Sequence, residues 1–432
     1  MRTEVVKQSA LALTIGMIVG CAGDAPFALE ETDLPAIFLD DIEIPAGFDF
    51  ATTHDVTVSL ALGPRSGDWQ DPPRVHVGVD GEGGDFDLIM EGFLSEGGTF
   101  VTVIPVATRT ESLVVKYETL DGVTTLRLPI VDASAVYPGP TLASSMASGG
   151  ITPALNQTGQ AGGPMRVPED LSNFPIAYVS YHPSQSAYGT IAFEDNWPWK
   201  GDYDFNDLVL SYHIVQYRNP SYDMVAMEVF VRVEAVGAEF RNGFGFGLPI
   251  SRQRVITAYG GVSARADELG MEPGHDEAVF ILFDNPSAVV GREATMMNTL
   301  PGKSLVDVPE LRFVVQFRTP LKDSEMGTPP INPFLFVNGD RGREIHLIGK
   351  PATDLASSAY PGSGDDSGAY STQTGLPWAI LLPTSWAWPA ERVPVHEGHL
   401  EFVPWAESGG TTYTDWYLSK GNNRDEAQLI LR

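Results

Sequence analysis

Apolar residues recur at every second position in short runs along much of the chain. Val56, Val58, Leu60 and Leu62 share one face of the first run. Val75, Val77 and Val79 form the next, followed by Val101 and Val103, by Leu113, Val115 and Tyr117, and by Leu126, Leu128 and Ile130. A period of two places successive side chains on opposite faces of a strand. Turns containing Gly, Pro or Asp separate the runs every 10–20 residues, which predicts a small immunoglobulin-like β-sandwich over 46–131. Residues 132–170 are rich in Gly, Ser, Ala, Thr and Pro and read as a linker. From 171 to 432 the strand pattern returns. Met227, Val229, Val231 and Val233 alternate with Glu228, Phe230, Arg232 and Glu234, and Leu311, Phe313, Val315 and Phe317 alternate with Arg312, Val314 and Gln316. Helical periodicity is scarce and no repeat of fixed period is visible. The fold class is therefore all-β: an immunoglobulin-like β-sandwich followed by a larger β-sandwich or jelly-roll-like domain over 171–432.

Composition narrows the functional classes. Among 432 residues, Lys+Arg number 27 and Asp+Glu 56, a formal charge of −29. So acidic a chain repels nucleic acid and anionic headgroups and attracts cations. Gly 44 and Pro 33 fit many short strands joined by tight turns.

The first twenty residues read as an export signal. Arg2 and Lys7 give a basic start and Ala10 to Gly20 an apolar run too short to span a bilayer as a helix. The run ends at Ile18-Val19-Gly20-Cys21 and resembles a bacterial lipoprotein signal, with Cys21 as the acylated first residue of the mature chain. Cys21 is also the sole cysteine, so a covalent role for it is expected and disulfides are not. The rival reading is an ordinary signal peptide with a coincidental cysteine. Residues 21–45 are acidic and irregular and read as a tether. The first sandwich contains no catalytic cluster and reads as a spacer between membrane and second domain.

The densest chemistry lies between Phe193 and Leu210. Five carboxylates (Glu194, Asp195, Asp202, Asp204, Asp207) and the carboxamides Asn196 and Asn206 fall there, with Lys200 as the single basic residue. Alternate spacing puts the oxygens of Asp202, Asp204 and Asn206 on one side and aims Tyr203 and Phe205 into a core. Gathering so many carboxylates costs free energy unless protons, bases or a cation neutralise them. Ca2+, which takes 6–8 oxygen ligands, is the expected cofactor, held by Glu194, Asp195, Asp202, Asp204, Asn206 and Asp207. The loop is not an EF-hand, since Asp207 stands where the turn glycine belongs. The rival reading is a carboxylate-rich turn held by backbone hydrogen bonds. Asn338, Asp340, Asp365 and Asp366 sit in further acidic loops that either complete such a site or are solvated turns.

Three ordered blocks carry a family resemblance. The first runs Ala192-Phe193-Glu194-Asp195, Trp197-Pro198, then Gly201-Asp202-Tyr203-Asp204-Phe205-Asn206-Asp207-Leu208-Val209. The second is Ile331-Asn332-Pro333-Phe334 with Asn338-Gly339-Asp340-Arg341-Gly342-Arg343-Glu344-Ile345-His346-Leu347. The third is Leu376-Pro377-Trp378-Ala379-Ile380 with Trp405 to Gly410 and Asp415-Trp416-Tyr417. Together they resemble the LruC-type domain of bacterial exported lipoproteins, over roughly residues 171–420. The resemblance implies an exported, cation-binding module and hands over no reaction.

The sequence thus predicts a non-enzymatic lipoprotein, anchored to the membrane through Cys21, in the cell envelope and at the outer membrane. Its calcium-stabilised β-domain would contact a surface glycan or protein partner. The alternative is a glycan-binding or glycan-hydrolysing protein that uses Trp197, Trp199, Trp378, Trp386, Trp388, Trp405 and Trp416 beside the acidic loop, with Glu194 and Asp195 as a carboxylate pair. No His-Glu-x-x-His, Gly-x-Ser-x-Gly or complete phosphate-loop motif occurs.

Overall fold

A computed structural model describes residues 39–62, 72–119, 122–138, 168–237, 239–329 and 331–431. The export signal and Cys21 lie outside the described residues. The described residues form one compact unit. The fold is all-β, with sheets packed face to face as sandwiches.

At the N-terminal end, Thr53–Ala61 lies between Thr99–Ala107, antiparallel, and Ser134–Tyr137, parallel. This three-stranded sheet faces Phe86–Phe93, Arg74–Asp80, Ser112–Thr119 and Gly122–Pro129. Val56, Val58 and Leu60 pack with Val75, Val77, Leu113 and Val115 between them. One face was misassigned from the alternation. Val101 is 65% exposed and Val103 42%, while Phe100, Ile104 and Val106 are buried. Thr99–Ala107 carries apolar residues at both parities. Its register pairs Val101 with Ser59 and Val103 with Thr57 on the polar face, and so commits the bulkier Phe100 and Ile104 to the core.

The second sandwich is built around Leu208–Arg218, flanked by Met224–Ala235, Tyr178–His182 and Gly189–Phe193. Leu311–Leu321 and Val255–Tyr259 extend this sheet beyond Met224–Ala235. A four-stranded sheet of Glu277–Phe283, Gly243–Ser251, Asn332–Phe336 and Glu344–His346 covers one face. Met227, Val229, Val231, Phe244, Phe246, Phe280, Phe313 and Val315 fill the space between. Every residue of Leu208–Arg218 is buried, because a second apolar cluster covers the other face. That cluster joins Ala192, Val209, Ile380 and Leu382 to Trp386, Trp388, Phe402, Trp405 and Trp416.

Two stretches read as connectors take part in the fold. Ser134–Tyr137, within the stretch read as linker, completes the three-stranded sheet. Leu39 and Ile42, within the stretch read as tether, join the tryptophan cluster, as does Phe50 just beyond it, its ring edge-on to Trp405 at 5.4 Å. The two sandwiches also share a sheet: Phe86–Phe93 meets Tyr178–His182 at the Met90–Ser180 pair.

Candidate metal centre

Phe193 pairs with Leu208, so residues 194–207 form the loop of a hairpin between Gly189–Phe193 and Leu208–Arg218. At its base, the Asp195 amide donates to Asp207 Oδ2 at 2.7 Å. Tyr203 and Phe205 are buried, as the alternation predicts, and anchor the loop in the tryptophan cluster. Both adopt left-handed backbone conformations, φ 57° and 49°, which are costly for aromatic residues and persist only under restraint. The restraints are specific. The Phe205 amide donates to Glu194 Oε1 at 2.6 Å, the Asn206 amide to Asp204 Oδ1 at 3.0 Å, and the Val395 amide to the Tyr203 carbonyl at 2.8 Å.

This winding brings Glu194, Asp202 and Asp204 together. One carboxylate oxygen from each lies within 4.8 Å of the others. Glu194 and Asp204 are buried and Asp202 is exposed, so the cluster opens to solvent on one side. Glu194 Oε1 and both oxygens of Asp204 accept main-chain N–H groups, the second Asp204 oxygen from Arg392 at 2.8 Å. Glu194 Oε2 is buried without a hydrogen-bond partner. A buried carboxylate oxygen left bare is costly; a proton, a water or a cation satisfies it.

The other expected ligands are placed differently. Asp195 Oδ2 accepts from Asn242 Nδ2 at 2.7 Å, and Asp207 Oδ2 is taken by the Asp195 amide. Asn206 Nδ2 donates to the Pro389 carbonyl at 3.1 Å. Its Oδ1 is buried, unpartnered and set against Gly237, where a Cβ would fall 1.8 Å away. Asp365 braces the loop by accepting from the Lys200 amide at 3.0 Å. Arg343 donates to the Asp195 and Trp197 carbonyls at 3.0 and 2.6 Å.

The charges report the same crowding. Burial raises the Glu194 carboxyl well above its ordinary value, and Asp207, Asp204 and Asp202 add to it. Burial, then Asp202, pushes Asp204 up to about 8 against the pull of the Asn206 and Arg392 amides. Burial and then Asp195 raise Asp207 as well. Glu391 is raised by burial and by Asp202, so a further carboxylate faces the cluster. It lies far along the chain in an ordinary turn, and no sequence signal marks it.

Gly201 backs the bare oxygen: a Cβ there would lie 2.0 Å from Glu194 Oε2. Glu194 Oε1 is pinned by Phe205, so the carboxylate cannot simply step aside. Gly201→Ala is expected to weaken cation affinity by about 10–100-fold, the range for groups that position a ligand. Calorimetric titration with Ca2+ checks this, and an unchanged affinity would contradict it.

Of the seven tryptophans in this half of the chain, six are buried at 4% exposure or less, and Trp199 is 61% exposed. The tryptophan-rich binding surface of the alternative reading is therefore corrected: these rings are core, because the acidic loop and the C-terminal segment need large apolar anchors, and a single ring remains at the surface.

Residues 223–417 match a family described as a domain of unknown function, DUF4842. Glu391, Arg392, Asn242 and Arg343 fall inside that segment and the acidic loop just before it. No curated protein sequence matches the chain. Among solved structures, a protein from Bacteroides ovatus described as a "putative lipoprotein" shares the fold, with a TM-score of 0.56 at 18% identity over 83% of this chain and 99% of that one.

Proposed function

We propose that this chain is a lipid-anchored cell-envelope protein of LruC type whose larger β-domain is completed by a Ca2+ ion at Glu194, Asp202 and Asp204. The bare, buried Oε2 of Glu194 beside two further carboxylates carries this reading. Unneutralised, ionised Glu194 and Asp204 repel by about 3 kcal/mol at an effective dielectric near 20. The donor set is hard oxygen, which suits Ca2+ over softer metals. The ion would fix a strained loop that reaches the Arg392–Val395 segment. The role we assign is binding or adhesion without catalysis; Glu194 is wholly buried, behind the exposed Asp202. The anchor would be Cys21, at the outer membrane; the Bacteroides neighbour's lipoprotein description supports the coarser reading of a cell-envelope protein. No helix among the described residues is long and apolar enough to cross a membrane.

The reading has a pH signature. In the fold, Asp204 holds its proton up to about pH 8, against 3.8 for a free side chain. The stability this gives the metal-free protein is full below about pH 4 and is lost as pH rises through about 8. Glu194, Asp195, Asp202, Asp207 and Glu391 are the acidic groups nearby, and Arg343 and Arg392 the basic ones. A cation competes with these protons. Ca2+ affinity is expected to rise up to about pH 8, roughly tenfold per pH unit for each proton released. Titrations in two buffers of different ionisation enthalpy count the protons. Binding without proton release between pH 5 and 7 would contradict the site.

A further inference from the structure

Trp199 lies on the metal-binding loop itself. Its ring rests on Gly364, in a left-handed turn (φ +57), where a Cβ would sit 3.0 Å from Trp199 Cε3 and 2.8 Å from the Pro198 carbonyl oxygen. Its amide donates to the Asn196 carbonyl at 3.0 Å, and its carbonyl accepts from Trp378 Nε1 at 3.0 Å. The Asp365 amide donates to the Pro198 carbonyl at 2.9 Å. Trp199 is 61% exposed; its main chain is fixed by these bonds and its ring is backed by Gly364, which makes it a preorganised platform rather than a stray surface residue. Two peptide units separate it from Gly201, so the two Cα atoms are at most about 7 Å apart, and a Cβ on Gly201 would fall 2.0 Å from Glu194 Oε2.

Three carboxylates leave a Ca2+ ion, which takes about 6–8 oxygens, with positions to fill. Exposed Asp202 marks the open side. Three negative ligands around a divalent cation leave a net charge of about −1, on a chain of −29. This disfavours an anionic partner and favours neutral oxygens.

We propose that a neutral pyranose binds here: two vicinal hydroxyls complete the coordination of the cation at Glu194, Asp202 and Asp204, and the sugar's C–H face stacks on Trp199. This rests on the cation reading above and names its partner class. The test is an array of neutral and uronate-containing oligosaccharides probed with the full chain in millimolar Ca2+, in EDTA, and as Trp199→Ala. Retention of neutral oligosaccharides in Ca2+, lost in EDTA and reduced at least about tenfold in Trp199→Ala with Ca2+ affinity unchanged, is the expected result. Retention that persists in EDTA or in Trp199→Ala overturns the proposal, as does retention of uronates alone. A chain that binds Ca2+ but no oligosaccharide overturns the sugar partner and leaves the cation site standing. A chain that binds no Ca2+ removes both.

Discussion

Stripping divalent cations from the full chain with EDTA is expected to lower its melting temperature by several degrees, and Ca2+ in excess to restore it. A ligand present at 100 times its dissociation constant stabilises the state that binds it by about 2.7 kcal/mol. The unfolded chain does not hold Glu194, Asp202 and Asp204 together, so nearly all of that accrues to the fold. Mg2+ should restore less, because it demands a tighter octahedral shell than three carboxylates on a hairpin loop supply. The effect should be larger at pH 8 than at pH 5. At pH 5 protons on the buried carboxylates already relieve the repulsion. A melting curve indifferent to EDTA at pH 8, with Ca2+ added back to no effect, would contradict the account. Asp202→Asn separates the ion from the rest of the loop. Asp202 is exposed, and the loop's main-chain amides are held by Glu194 and Asp204, so the variant should keep its fold and lose much of its Ca2+ response.

The second large effect lies behind the loop. Arg341 is 9% exposed and places its guanidinium between two buried carboxylates. It donates to Glu272 Oε1 and Oε2 at 2.8 Å each and to Glu344 Oε1 at 2.7 Å. His275 bonds Glu272 Oε2 and His346 bonds Glu344 Oε2, both at 3.0 Å. Burial alone would raise the Glu344 carboxyl, but His346 and Arg341 hold it down to about 2. The stability Glu344 contributes is therefore present above its ordinary value of 4.5 and is lost as pH falls toward 2. Arg341→Ala leaves two buried charges uncompensated and should cost about 3–5 kcal/mol, read from chemical denaturation at pH 7. Arg341→Lys should recover only part of this, since one ammonium cannot serve both carboxylates in a planar fork. A loss under 1 kcal/mol in Arg341→Ala would show that the network is not needed to hold the fold. Arg343, two residues on, carries the effect to the metal loop through its bonds to Asp195 and Trp197, so Arg341→Ala should also weaken Ca2+ binding.

Much of the architecture was legible in residue order. Period-two runs located Thr53–Ala61, which buries one face, and Met224–Ala235 and Leu311–Leu321, whose alternate residues Val229, Val231, Phe313 and Val315 fill the main core although Met224–Ala235 is covered on both faces. Thr99–Ala107 was read on the wrong face, because Phe100, Val101, Val103 and Ile104 supply apolar groups to both sides and only the partner strand decides between them. The roles of Leu39, Ile42 and Ser134–Tyr137 were hidden because their partners, Trp405 among them, lie far away in sequence. At the candidate centre the D-x-D-x-N spacing and the aromatic anchors Tyr203 and Phe205 were visible. Which carboxylates converge was not. A run of acidic residues cannot say that Asp207 turns to the Asp195 amide or that Asn242 holds Asp195, since the amides and carboxamides come from elsewhere in the fold. Glu391 and the Arg392 amide belong to the same category. Tryptophan content misled for a different reason: large rings are as useful for filling a core as for meeting a ligand, and only burial separates Trp199 from the rest.

The proposed role stands on one divalent ion among Glu194, Asp202 and Asp204. Crystals grown in Ca2+, measured at a wavelength where calcium scatters anomalously, test it most directly. A single anomalous peak is expected at the loop, about 2.3–2.6 Å from Glu194 Oε2 and from an oxygen each of Asp202 and Asp204. A map with no peak there, and Glu194 Oε2 bonded instead to a protein donor or carrying a proton at pH 8, would contradict it.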